Sequence, residues 1–167
     1  MVSTPTFSLY QLDDPLTRAE VLAEFASLPE RLASAIASAP AGALERAPAP
    51  GQWSALQVVS HLRDAALVYG ARFRWIVLND DPFLANFDED RWVDESRETP
   101  ADIPALVETI AGSRRDIARL LSRISDAEWQ RTGRHEVIGT VVLEDYVRHE
   151  VVHERGHLEQ LANALRG

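Results

Sequence analysis

Apolar residues recur at three- and four-residue steps in separate windows of this chain, the period of helices that bury one face. In the first window, from about Pro15 to Ala39, the stripe is Leu16, Val21, Leu22, Phe25, Leu28, Leu32 and Ile36. Pro29 falls inside it, where a missing N–H and a crowded ring predict a kink or a split. A second window opens at Trp53-Ser54, with Ser54 as N-cap, and runs to about Leu78. Its stripe is Val58, Leu62, Ala65, Ala66, Tyr69, Phe73 and Ile76. A third covers about Ala101 to Ile124, burying Leu106, Ile110, Ile117, Leu120, Leu121 and Ile124, and a fourth runs from about Thr140 to Leu165.

The connections follow from the breaks in this pattern. "APAGALERAPAPGQ" separates the first two windows with prolines and glycines. The acidic stretch "NDDPFLANFDEDRWVDESRE" follows the second and is expected to be a solvated loop, long for a compact domain. "SDAEWQRTGRHEVIG" predicts a short helical turn and a loop. No segment alternates long enough to predict a strand, and "EVIGTVV" is the one β-branched cluster. The expected fold is all-α: one domain over residues 1–167, a four-helix bundle with a long loop between its second and third helices.

Composition narrows the chemistry. A chain of 167 residues with 46% hydrophobic content can bury a sizeable core. There is no cysteine, which excludes disulfides, thiolate ligands and a cysteine nucleophile, so a transition metal must take histidine or oxygen ligands. The net charge of -9 disfavours nucleic acid. All 17 basic side chains are arginines, read as a compositional bias. No apolar run is long enough to span a membrane, and "MVSTPTFSLYQLDDP" lacks the basic-then-apolar order of a secretion signal. The cytoplasm is the expected compartment.

The chemistry-bearing residues gather on the fourth helix. "RHEVVHERGHLEQ" holds His-Glu-x-x-His twice in overlap, at His149–His153 and His153–His157, the spacing of a zinc-protease helix. At about 100° per residue, Tyr146, His149, His153, His157 and Gln160 share an arc beside the apolar stripe of Leu143, Val147, Val151, Leu158, Leu161 and Leu165. His149 and His157 stand about 12 Å apart along the axis, too far to share one ion. Only a pair four residues apart converges: His149 with His153, or His153 with His157. A third ligand must come from elsewhere. His61 sits at the edge of the second helix's stripe, whereas His135 falls in a predicted loop and is expected to be exposed. The protease reading is weak, because Gln160 and Asn163 occupy the places where a downstream motif needs glycine and histidine, and no sheet is predicted to hold a peptide.

"QWSALQVVSHLRDAA" (52–66) and "GTVVLEDYVRHEVVHERGHLEQL" (139–161) resemble two segments of the DinB-like proteins. That superfamily includes YfiT-type thiol transferases and mycothiol-dependent maleylpyruvate isomerases. The second segment matches the family's His-Asp/Glu-x-x-His-x-x-Gln helix at His153, Glu154, His157 and Gln160. The resemblance implies an up-and-down-type bundle with a long crossover, often dimeric. It also implies a divalent metal ion, often nickel or zinc, held by His61, His153 and His157. Two departures stand out: Gln57 where many relatives carry an acid, and the additional His149.

Around that triad, Asp64 is expected either to brace His61 or to be a surface charge. His149, Tyr146 and Gln160 are candidate pocket residues, and Glu150, Glu154 and Asp64 are candidate acid–base groups. Trp53 is expected to pack at the helix entry rather than cover the site. The implied function is a metal-dependent enzyme acting on a small molecule, by hydrolysis or by transfer of a low-molecular-weight thiol. No arginine can be assigned from sequence to a cosubstrate's carboxylates. The rival reading is a non-enzymatic protein whose ion locks the second and fourth helices together.

Overall fold

The computed structural model describes residues 16–40 and 42–166. The expectations made for residues 1–15, a helix start at Pro15 and the reading of the leading segment, lie outside them. Four long helices form the frame: α1 (Arg18–Ala37), α2 (Ala55–Leu78), α4 (Ile103–Leu121) and α6 (Leu143–Arg166). Between them lie the short helices α3 (Glu89–Asp94) and α5 (Asp126–Trp129) and the strands β1 (Phe83–Leu84), β2 (Thr132–His135) and β3 (Gly139–Val142). None of these helices is long and apolar enough to cross a membrane.

Side chains set where the helices start. Thr17 and Glu20 form a reciprocal capping box before α1, and Ser54 and Gln57 form one before α2. The Gln57 amide oxygen accepts from the Ser54 backbone N–H at 2.9 Å. A neutral amide thus does the capping work that a carboxylate does in the box before α1. Pro29 neither splits nor ends α1. One lost backbone bond is offset by the burial of Phe25, Leu28 and Leu32 around it.

The extensively packed helix pairs are α2 with α4, α1 with α4, α2 with α6 and α1 with α6. The helices therefore run round the bundle in the order α1, α4, α2, α6. Consecutive α1 and α2 lie diagonally opposite, as do α4 and α6, so the chain crosses the bundle end twice rather than once.

The strands correct two expectations. β1 pairs parallel with β2, and β2 pairs antiparallel with β3, matching His135 to Gly139. Segments of two and four residues are too short to show alternation in sequence. Long-range pairing adds β1 to the local β2–β3 hairpin: Arg134 N–H donates to Pro82 O and Glu136 N–H to Leu84 O. His135, expected in an exposed loop, is buried in β2. The acidic stretch is likewise not all solvated loop. Leu84 and Val93 reach the core, and Asp88 caps α3 by accepting from the Arg91 N–H.

The core has two apolar parts. One gathers Leu28, Leu32, Val58, Leu62, Leu106 and Leu161, and the other gathers Phe25, Phe73, Ile76, Ile117, Tyr146 and Val151. Along α6, the buried polar residues Glu150, His153, Glu154 and His157 fall between the stretches that feed these parts. The candidate site is therefore a polar layer in mid-bundle, walled by packed apolar residues at both ends.

Candidate metal centre

His61 on α2 and His153 and His157 on α6 bring their rings together inside the bundle, each at most 6% exposed. His153 Nε2 lies 3.2 Å from His61 Nε2 and 2.9 Å from His157 Nε2. One nitrogen from each ring falls within 4.8 Å of the others. Ligands at about 2.1 Å from a tetrahedral ion stand about 3.4 Å apart, close to what is seen. Of the two pairs left open in sequence, His153 with His157 is the one whose ring nitrogens converge with His61.

The outer nitrogens show why this cluster suits a cation. His157 Nδ1 contacts Gln160 Oε1 at 2.7 Å, and His153 Nδ1 lies 3.3 Å from Glu150 Oε2. Both acceptors favour a proton on Nδ1, which turns an unshared electron pair on each Nε2 toward the other. Two lone pairs at 2.9 Å repel unless a proton or a metal ion lies between them. Burial lowers the His61 pKa to about 2 and that of His157 to about 4, so both are neutral, ligand-ready imidazoles. Burial also pulls on His153, but Glu150, Glu89 and Glu154 outweigh it and leave its pKa raised.

The remaining candidates separate by position. Asp64 is buried but pairs with Arg63, Nε to Oδ1 2.7 Å, and not with His61. His61 Nδ1 has no hydrogen-bond partner among the described residues. Glu150 and Glu154 are almost wholly buried, and both pair with Arg114. They face the diagonal helix α4 rather than open space. Burial pushes the Glu154 pKa up, with Glu150 adding to it against Arg114. Burial likewise works on Glu150, but Arg114, His153 and His149 outweigh it and hold its pKa down. Gln160 braces His157 as described. Trp53 both packs at the entry to α2 and walls the site: its ring lies 5.0 Å from His61 and stacks at 6.0 Å on His157.

Tyr146 and His149 belong to a neighbouring cavity of about 430 Å³, lined also by Tyr69, Arg72, Glu89 and His135. His149 stacks between Tyr146 and His153, with ring centroids 6.4 Å from each. Burial lowers its pKa to about 4. Glu89, the first residue of α3, joins the cavity to the histidines: its Oε2 lies 3.9 Å from His61 Nε2.

Sequence reasoning missed Glu89, Arg72 and Arg114. Glu89 was hidden in an acidic run, where one functional carboxylate looks like any solvated neighbour. Arg114 had a usable signal: an arginine at helical spacing from Ile110 and Ile117 sits on a buried face, and such a cation needs carboxylates.

The bundle and its three-histidine cluster define a class. A model of the DinB superfamily matches residues 24–161, and the chain belongs to that superfamily. It is similar to YfiT from Bacillus subtilis, described as a probable metal-dependent hydrolase with an unusual four-helix bundle topology. The two share 20% identity and superpose with a TM-score of 0.85 over 94% of this chain and 92% of the other. Two curated relatives carry the provisional name metal-dependent hydrolase. One, from Geobacillus thermodenitrificans, is 31% identical over 67% of this chain and 63% of its own length. The other, from Geobacillus kaustophilus, is 29% identical over 70% of this chain and 66% of its own. The matches thus span a little under two thirds of these relatives.

Proposed function

We propose that His61, His153 and His157 hold one divalent metal ion through Nε2, and that the chain is a hydrolase-type metalloenzyme acting on a small molecule. The observation that carries this reading is the convergence of three buried imidazoles, two of them with outer acceptors that turn their lone pairs inward. The provisional hydrolase names of the relatives point the same way. An all-imidazole set suits zinc or nickel. Such an ion would supply Lewis acidity that makes water, or a low-molecular-weight thiol, a nucleophile near neutral pH.

The chain's own residues do the rest. Glu89, whose Oε2 lies 3.9 Å from His61 Nε2, would receive a proton from the nucleophile, and it borders the cavity from which a substrate would approach. Gln160 and Glu150 hold the His157 and His153 rings in orientation. Trp53 closes one side against water. In the zinc-protease reading, Glu154 of His-Glu-x-x-His would be the base, but its pairing with Arg114 removes it from that role. The cavity beside the triad favours an enzyme over an ion that only ties α2 to α6.

Elemental analysis of the purified protein tests the proposal. About one zinc or nickel per chain is expected, and loss of the metal in His61→Ala and in His153→Ala. Retention of metal by His61→Ala would reject the triad. Glu89→Gln should keep the ion but lower turnover about 100-fold or more, read on a panel of small esters and amides and on thiol conjugation.

A further inference from the structure

Among the described residues two arginines are buried, Arg72 and Arg114. Arg114 is balanced by Glu150 and Glu154. Arg72, on α2, pairs with no carboxylate of the described residues, and its partners there are neutral. Its Nη1 donates to Tyr146 Oη at 2.8 Å and its Nη2 donates to Ala85 O. The guanidinium lies 5.4 Å from the Tyr69 ring centroid and 5.7 Å from that of Phe87. A buried cation without a counter-ion is costly, and folds keep one where an anion is to be received. Arg72 lines the cavity beside the histidines, with three of its five N–H donors left over from the two bonds above.

A second donor lies near it. His135 Nδ1 accepts from the Val137 N–H at 3.2 Å, which puts the ring proton on Nε2 and makes that atom a donor. His135 lines the same cavity. The acids of the cavity are occupied elsewhere. Asp88 accepts from the Arg91 N–H at 3.0 Å as the cap of α3, and Glu89 lies at the histidine end. The cavity therefore offers donors at Arg72 and His135, with Glu89 toward the histidines.

We infer that this cavity takes a small organic anion whose carboxylate pairs with Arg72, assisted by His135 Nε2–H, while the rest of the molecule extends toward Glu89 and the histidines. A planar monoanion matches the guanidinium fork in two parallel hydrogen bonds. A phosphate dianion would meet more repulsion from Asp88 and Glu89. The volume of about 430 Å³ lies in the range of small-molecule sites. As a statement about substrates this rests on the proposed metalloenzyme; as a statement about binding it stands on Arg72 alone.

Calorimetric titration with benzoate, its neutral counterpart benzamide and inorganic phosphate tests it, using the zinc-loaded protein, the chelated protein, Arg72→Gln and Ile138→Asp. Benzoate should bind the loaded and chelated forms within about three-fold of each other and bind Arg72→Gln about 10- to 100-fold more weakly, the worth of a charge-assisted pair. Ile138→Asp puts a like charge on the wall at a 44% exposed position. It should weaken benzoate about ten-fold, and it decides the matter if Arg72→Gln does not fold. Benzoate binding that vanishes on chelation, persists in both variants, or is matched by benzamide or exceeded by phosphate would overturn the assignment. If the protein takes up no metal yet benzoate behaves as expected, the metalloenzyme reading falls and this site remains. If the triad loads and benzoate does not bind, the Arg72 site alone falls.

Discussion

At the residue scale, the least expected feature is the buried group of Arg114, Glu150 and Glu154. One arginine faces two carboxylates here, with His153 beside Glu150, and burial singles out Glu154, whose pKa rises from the ordinary 4.5 to about 8. Between these values the folded state binds a proton that the unfolded chain has released, so this group makes stability fall as pH rises through neutrality. Glu154→Gln imitates the protonated form. It should match the wild type near pH 5 and exceed it near pH 9 by on the order of a few kcal/mol, measured by urea unfolding with chelator present. The difference between the two proteins isolates Glu154 from the histidines, which titrate in the same range. A wild-type stability that does not decline relative to the variant would show Glu154 to be ionised in the fold. Sequence placed Glu150 and Glu154 beside the histidine arc but supplied no partner, because Arg114 lies on another helix.

At the element scale, most of what the pattern predicts is present. The four long helices lie within a few residues of their expected bounds, and Ser54 caps α2 as expected. Helix spacing is local, so each stripe can be read without knowing its neighbours. β1 escaped notice because its bonds join residues about 50 positions apart, such as Arg134 N–H to Pro82 O, and β2 and β3 because four residues each are too short to show alternation. Gly133 shows what positions them. A Cβ there would come within 3.0 Å of Ile76 Cγ1 and Leu84 Cδ1, so β2 lies tightly against α2 and β1 only because the side chain is absent. Gly133→Ala should cost about 1–3 kcal/mol, seen as a lower urea midpoint. Because His135 ends the same strand, the variant should also disturb its ring environment, read by NMR. An unchanged midpoint would mean that the sheet yields easily.

At the scale of the whole molecule, the metal reading makes the triad a joint between α2 and α6. A ligand that binds only the folded state stabilises it by about 4 kcal/mol at a thousand times its Kd. Chelation should therefore lower the melting temperature by several degrees while leaving the helical circular dichroism at room temperature unchanged, since the two apolar clusters flanking the site need no ion. Loss of helix on chelation would make the ion a condition of folding and favour the structural rival. The sequence by itself determined what depends on near neighbours: four amphipathic helices, the Ser54 cap, the absence of cysteine side chains, and the four-residue spacing that aligns His153 with His157. Only the tertiary structure decided what depends on meetings across the bundle. It put His61 within 3.2 Å of His153, brought Glu89 from an acidic run to the histidines, balanced Arg114 across the diagonal and left Arg72 with neutral hydrogen-bond partners among the described residues. Periodicity states which face of a helix is buried, whereas charge balance and ligand geometry depend on which residue stands opposite, and that is settled only when the faces pack.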